Sequence, residues 1–301
     1  MRSVGPGLTE QSLIRAYREA CETELRAFKP GNISIYASGH GMAVADFERS
    51  AEASAPHLAD AALGLGEKIF RAVEATWAAV GCNTNLGIVL LAAPLMEACH
   101  IMQPGEHLRS ALRRVLSHTT QDDAVWAYRA IRLAAPGGLG KSAEQDIHET
   151  PTVTLREAMS VAEERDRIAF QYVHGYTDVF DFSIPRYHTA LSRWGDEAWA
   201  AVIVFIGLLK HFPDSHLERK FGKRHTRMVA ARMAALDEAL SQSASPEETL
   251  ELFHEVDSEF KARGINPGTT ADLTVACLLA VRLEAWASGC RQGELRAGGK
   301  R

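Results

Sequence analysis

Apolar residues along this chain recur every three or four positions, the period of a helix rather than of a strand. Over 10–28, Leu13, Ile14, Tyr17, Cys21 and Leu25 share one face, and Thr9 is placed to cap the start. The same pattern predicts helices near 44–57, 60–79, 106–116, 184–193, 196–210 and 223–241. Asn83 or Thr84 would cap a strongly apolar helix ending near 98, and Thr120 would open one over 121–134. Thr154 with Glu157, and Ser245 with Glu248, have capping-box spacing, which predicts helices over 155–172 and 246–262. Pro246 stands at the favoured first position of the second. Thr270 opens a last apolar helix through 287. No useful run alternates with period two. The pattern therefore predicts an all-α fold: a single multi-helix bundle of about ten or more helices over 8–288, with frayed ends at 1–7 and 289–301.

Composition narrows the class without naming a chemistry. A chain of 301 residues that is 46% hydrophobic and 24% charged can bury a substantial core. The formal charge of −5 argues against sequence-independent nucleic-acid binding, which needs a basic surface. The five cysteines are odd in number and widely spaced, with no zinc or CxxC pattern. Free thiols in a reducing cytoplasm are the expectation. The longest apolar runs, 200–209 and 88–96, are about half the length a bilayer requires, so no membrane span is expected.

Four polar runs interrupt the helical pattern: KPGN at 29–32, GCNTNLG at 81–87, DSHLERKFG at 214–222 and NPGTTADL at 266–273. A helix start presents unpaired N–H groups and the positive end of a dipole, which attract phosphate and carboxylate. Several such starts facing one cleft would hold a polyphosphate. Asn83, Thr84 and Asn85 exceed what one cap needs and could meet a ribose or a phosphate. Arg219, Lys220, Lys223, Arg224 and Arg227 concentrate positive charge in an acidic chain. A solvated face is the ordinary reading of such a run, and a polyanion is its functional one. Lys220 and Arg224 would share a face if the helix ran through Gly222. Thr269 and Thr270 stand at another helix start. Asp122, Asp123, Asp178, Asp181, Asp214 and Asp272 are candidate carboxylates, and His40 is a candidate donor. Ala135–Ser142, APGGLGKS, misses the phosphate-binding P-loop pattern because Ala135 stands where its first glycine belongs.

Taken in order, these runs resemble the triphosphoribosyl-dephospho-CoA synthase family from Leu13 to Leu283. The resemblance rests on KPGN followed by FERSA at 47–51, NTNLG at 83–87, PGGLG at 136–140, RDRIAFQY at 165–172, DSHLERKFG and PGTTADL. It implies an all-helical transferase that acts on ATP and 3′-dephospho-CoA. Adenine leaves the ATP ribose, and the 2′-hydroxyl of the acceptor attacks the anomeric carbon. The product supplies the prosthetic group of an acyl-carrier protein. Two departures stand out. Asn85 and Leu86 occupy positions where better-known members read NTHKG, and HGYTDVFDF at 174–182 replaces a glycine-rich, Arg-containing segment.

Such chemistry needs cations and helix starts for the triphosphate, magnesium, and carboxylates at the reacting centre. Lys29, Arg219 and Lys220 are the expected phosphate contacts. Asn83, Thr84 and Asn85, with Gly87, Thr269 and Thr270, are the other expected nucleotide-binding positions. Asp123 and Asp214 are the expected catalytic or magnesium-binding acids. The expected partners are ATP and a nucleotide-like acceptor, dephospho-CoA or a relative, in the cytoplasm, with a homo-oligomer left open. Transfer to another acceptor, N-glycosidic hydrolysis and nucleotide binding without chemistry are the alternatives.

Overall fold

The fold is that of a computed structural model, which describes residues 9–35, 43–136 and 144–298, with side chains through 286. His40, the Gly140–Ser142 stretch and the N-terminal fraying expected at 1–7 lie outside these residues. Among the described residues there are fourteen α-helices and no β-strand, as the periodicity predicts.

The first helix, α1 (Glu10–Arg26), starts where the Thr9 hydroxyl accepts the Ser12 N–H. Helices α2 (Val44–Ala59) and α3 (Leu65–Val80) follow, and α2 packs against both α1 and α3. Next comes α4 (Leu86–Ile101), apolar on every face and buried over nearly its whole length. A helix with no polar face belongs in the centre of a globule, and α2, α3, α6, α8 and α14 all pack on it once the rest of the chain is in place. Helices α5 (Leu108–Ser117) and α6 (Gln121–Ala134) precede the short α7 (Leu155–Ser160) and α8 (Arg167–His174). A π-helical stretch, Asp178–Ser183, runs directly into α9 (Ile184–Trp194). The second buried apolar helix, α10 (Glu197–His211), leads to α11 (Ser215–Phe221), α12 (Thr226–Gln242), α13 (Leu250–Ala262) and α14 (Gly268–Gly298). Helix α14 packs on α1, α4 and α10, so the first and last described helices meet in the core. Val89, Leu91, Met96, Phe205, Leu278 and Leu279 are among its fully enclosed side chains. Each is worth about 1.5–3 kcal/mol in removed apolar surface.

Two differences from the sequence pattern affect the site. The helix expected over 155–172 is broken. Thr154 and Glu157 form the capping box, but α7 ends at Ser160. Asp166 starts α8 afresh by accepting from the N–H groups of Ile168 and Ala169. The basic run is also broken. Gly222 takes φ +60°, a left-handed conformation suited to glycine, and stops α11 at Phe221. Lys220 and Arg224 therefore do not share one helical face. Smaller differences also occur. A 3₁₀ turn, Pro246–Thr249, precedes α13, and the backbone of α14 continues past 287 to Gly298.

Candidate active site

One cavity of about 740 Å³ opens among the starts of α4, α8, α11 and α14. Its size is that of a pocket for a small molecule or nucleotide. Glu24, Asn32 and Ile33 close one side, from the end of α1 and the turn after it. Leu86, Gly87 and Ile88 contribute the first turn of α4. Asp166, Ile168 and Ala169 contribute the start of α8, and His216 and Arg219 belong to α11. Gly268, Thr269 and Asp272 come from the start of α14. Tyr128, Ile131, Ala135 and Pro136 form the wall from α6. Ala135, the residue that spoils the P-loop pattern, takes φ +44° and ends α6.

Of the nucleotide-binding residues expected from sequence, Asn83, Thr84, Gly87, Arg219 and Thr269 line this cavity. Asn83 Oδ1 also accepts the Leu86 N–H at 3.2 Å, and Asn85 occupies the N-cap position of α4. Asn85 is buried behind the wall, and its Nδ2 reaches Ser54 Oγ at 3.3 Å and Ser50 O at 3.4 Å. Thr84 Oγ1 meets Ser50 Oγ at 2.5 Å. The NTN run is thus divided between the cavity and its support.

The remaining expected residues lie away from the lining. Lys29 is wholly buried. Its ammonium donates to the carbonyl oxygens of Glu24, Ala27 and Ile33 at 2.6, 3.2 and 3.0 Å and pairs with Glu24 Oε1 at 3.1 Å. Burial draws this pair towards neutrality, lowering the lysine and raising the glutamate, while their mutual attraction opposes both shifts. Lys29 therefore anchors the KPGN turn. Lys220 is exposed and donates to the Gly264 carbonyl at 3.2 Å.

Asp123 closes the capping box of α6. Its Oδ2 accepts from Thr120 N and Oγ1, and its Oδ1 accepts from Gly66 N. Asp214 ties two helices together. Oδ1 accepts the Leu217 N–H at the start of α11, while Oδ2 accepts the Thr270 N–H at 2.8 Å and the Thr270 hydroxyl at 2.7 Å. Burial pushes the Asp214 carboxyl up, and the Thr270 and Leu217 donors pull it back. Both acids expected to bind magnesium thus spend their oxygens on backbone and threonine. Among the described residues no group of three or more His, Cys, Asp or Glu side chains is arranged to hold a metal.

Two features of the site were not singled out from sequence. The first is the Asp166–Arg219 pair. Asp166 caps α8 through Oδ1, and its Oδ2 accepts from Arg219 Nη1 at 2.6 Å. The guanidinium is thereby fixed at the cavity wall. Its Nε is buried with no hydrogen-bond partner among the described residues. A buried donor without an acceptor is costly unless a ligand completes it. The second is the seat of Asp272, one of the six candidate carboxylates, whose sequence position in the first turns of α14 also suits ordinary dipole compensation. Its carboxyl group lines the cavity beside Gly87, in space that a side chain at 87 would fill. Burial is the largest influence on it and raises it well above the usual carboxylate range. Asp214, Glu24 and Asp166 push it further up, and Arg219 acts against them.

The fold and cavity define an all-helical protein in which several helix starts and Arg219 line one pocket. The chain belongs to the ATP:dephospho-CoA triphosphoribosyl transferase (CitG) family, whose profile matches residues 10–291, and it is a transferase. It is also similar to the crystal structure of a candidate triphosphoribosyl-dephospho-CoA synthase from Archaeoglobus fulgidus. The two share 25% identity with a TM-score of 0.60, over 79% of this chain and 98% of the other. No curated protein sequence matches significantly.

Proposed function

We propose that the protein transfers the triphosphoribosyl group of ATP to the 2′-hydroxyl of 3′-dephospho-CoA and releases adenine. The observation that carries this reading is the meeting of Asn83, Gly87, Arg219 and Thr269 around one cavity, from four separate stretches of the chain. The start of α4 offers backbone N–H groups to phosphate oxygens, whereas at the start of α14 the Thr270 N–H is already taken by Asp214. Arg219, held by Asp166, brings its guanidinium charge to the lining. Tyr128, Ile131 and Ile168 supply an apolar surface for a purine.

Among the described residues no acidic cluster is arranged for magnesium, and Asp123 and Asp214 each already accept three hydrogen bonds. ATP is proposed to enter as its magnesium complex. The cavity lining carries Glu24, Asp146, Asp166, Glu218 and Asp272 against Arg165, Arg219 and Lys223. Burial draws Glu24 and Asp272 towards neutrality, so the lining offers no large excess of positive charge to a bare triphosphate, and the complexed form carries less negative charge. The buried, unpaired thiols of Cys21, Cys99 and Cys277 suit a reducing compartment such as the cytoplasm. No single helix among the described residues is long and apolar enough to cross a membrane.

Incubation with MgATP and dephospho-CoA, followed by mass analysis, tests the assignment. Free adenine together with a triphosphoribosyl adduct of dephospho-CoA is the expected result. One observation favours a second reading, transfer to a related acceptor. Leu86 gives the cavity an apolar wall where better-known relatives carry a basic side chain. Adenine release that depends on an acceptor other than dephospho-CoA would select that reading.

A further inference from the structure

Each carboxylate around the cavity other than Asp272 already has a partner. Glu24 is paired with Lys29, and Asp166 caps α8 and holds Arg219. Asp214 accepts three hydrogen bonds. Glu218 accepts from the Thr226 hydroxyl at 3.2 Å, and Asp146 accepts the His148 N–H at 2.9 Å. Asp272 has no hydrogen-bond partner among the described residues, yet it lies on the cavity lining. Gly87 makes room for it. A β-carbon at position 87 would stand 2.6 Å from Asp272 Cγ and 2.9 Å from the Ile168 methyl group. The carboxyl group is therefore seated between a glycine backbone and an apolar side chain, with one face towards the space a ligand would fill.

We propose that Asp272 is the catalytic acid of the reaction: it delivers a proton to the departing adenine. This rests on the transferase reading above. As the bond between C1′ of the ribose and N9 breaks, its electron pair moves into the purine. The Asp272 proton passes to a purine ring nitrogen, so neutral adenine leaves. The acceptor oxygen then bonds to C1′ and loses its own proton, which returns to Asp272 through solvent. One proton is given and one is recovered in each turnover. The surroundings favour the protonated form. Asp214 from the start of α11, Glu24 from α1 and Asp166 from the start of α8 all disfavour a second negative charge, and Arg219 opposes them. His216, on α11, reaches the start of α14, within 4 Å of a β-carbon built at Gly268.

The test compares wild-type protein with D272N and D272E on two substrates. One is MgATP. The other is ATP methylated at purine N7, whose base departs without needing a proton. With MgATP, D272N should lower kcat by about 10²–10⁴-fold. KM should change by less than roughly threefold, because the proton matters in the transition state and not in binding. With the methylated substrate, D272N should run within roughly tenfold of wild type, because the acid has nothing to contribute. D272E should recover part of the MgATP rate. Wild-type kcat on MgATP should fall as pH rises through the elevated Asp272 value, and D272N should lose that limb. Equal losses on both substrates, or an unchanged rate on MgATP, would overturn the assignment. A variant as active as wild type would sink this proposal alone. Wild-type protein that releases no adenine from ATP would remove the transferase reading, and this inference with it.

Discussion

Gly87 in α4 lies against the carboxyl group of Asp272 in α14, and each constrains the other. Gly87→Ala should displace the carboxyl group by pressing a methyl group against it. The atom that must yield is at the end of a short side chain, so the stability cost should stay within about 1–3 kcal/mol. The rate of adenine release should fall further, by about 10²-fold, because a reacting group is misplaced. Thermal melting and steady-state kinetics on the same variant separate the two effects. Asp272 also has a signature in stability. Its folded value is raised above that of the unfolded chain, so the folded state binds more protons between the two. Stability should therefore fall as pH rises through that window. Asp272→Asn removes this penalty. Its melting temperature should exceed that of wild type at high pH, and the gap should close as pH falls towards the ordinary aspartate value of about 4. Differential scanning calorimetry across pH reads this directly. The sequence marks Gly87 as a nucleotide-binding position and Asp272 as a candidate carboxylate, but their contact is not visible there, because it depends on how α4 packs against α14.

Elements were more legible than residues, because a helix is specified locally. The apolar period and the caps Thr9, Thr120 and Thr154 placed α1, α6 and the start of α7. The break after Ser160 was hidden by continuous helical propensity and depends on Asp166 as a second cap. The division at Gly222 needs the positive φ that the structure reveals. Lys29 shows how a motif can keep its importance while its role differs from the expected one. Three carbonyl groups and Glu24 converge on its ammonium, so it fixes the chain leaving α1. Replacing it with methionine leaves Glu24 unpaired in the interior and should cost about 3–5 kcal/mol. Urea denaturation measures that loss. A Lys29→Met protein of normal stability that no longer binds ATP would instead make Lys29 a phosphate contact.

Across the whole molecule, the polar runs were readable as segments, but their meeting was not, because it depends on packing between helices distant in sequence. The resemblance to a known family supplied the order of the runs. The structure adds which members face the cavity and which hold it up: Asn83 and Arg219 in the first group, Asn85 and Lys29 in the second. The lack of a large cationic excess in the lining also bears on ligand form. MgATP at 100 times its Kd should stabilise the protein by about 2.7 kcal/mol. ATP with EDTA at the same concentration should give a smaller shift in melting temperature. Equal shifts would mean that the acids do not discriminate between the two forms. Finally, helix α14 completes the cavity against walls begun by α1, and more than two hundred residues separate Glu24 from Asp272. A chain still emerging from the ribosome therefore has no place for a nucleotide until its last helix docks. ATP can reward only the finished fold, and it cannot act as a template for the early part of synthesis.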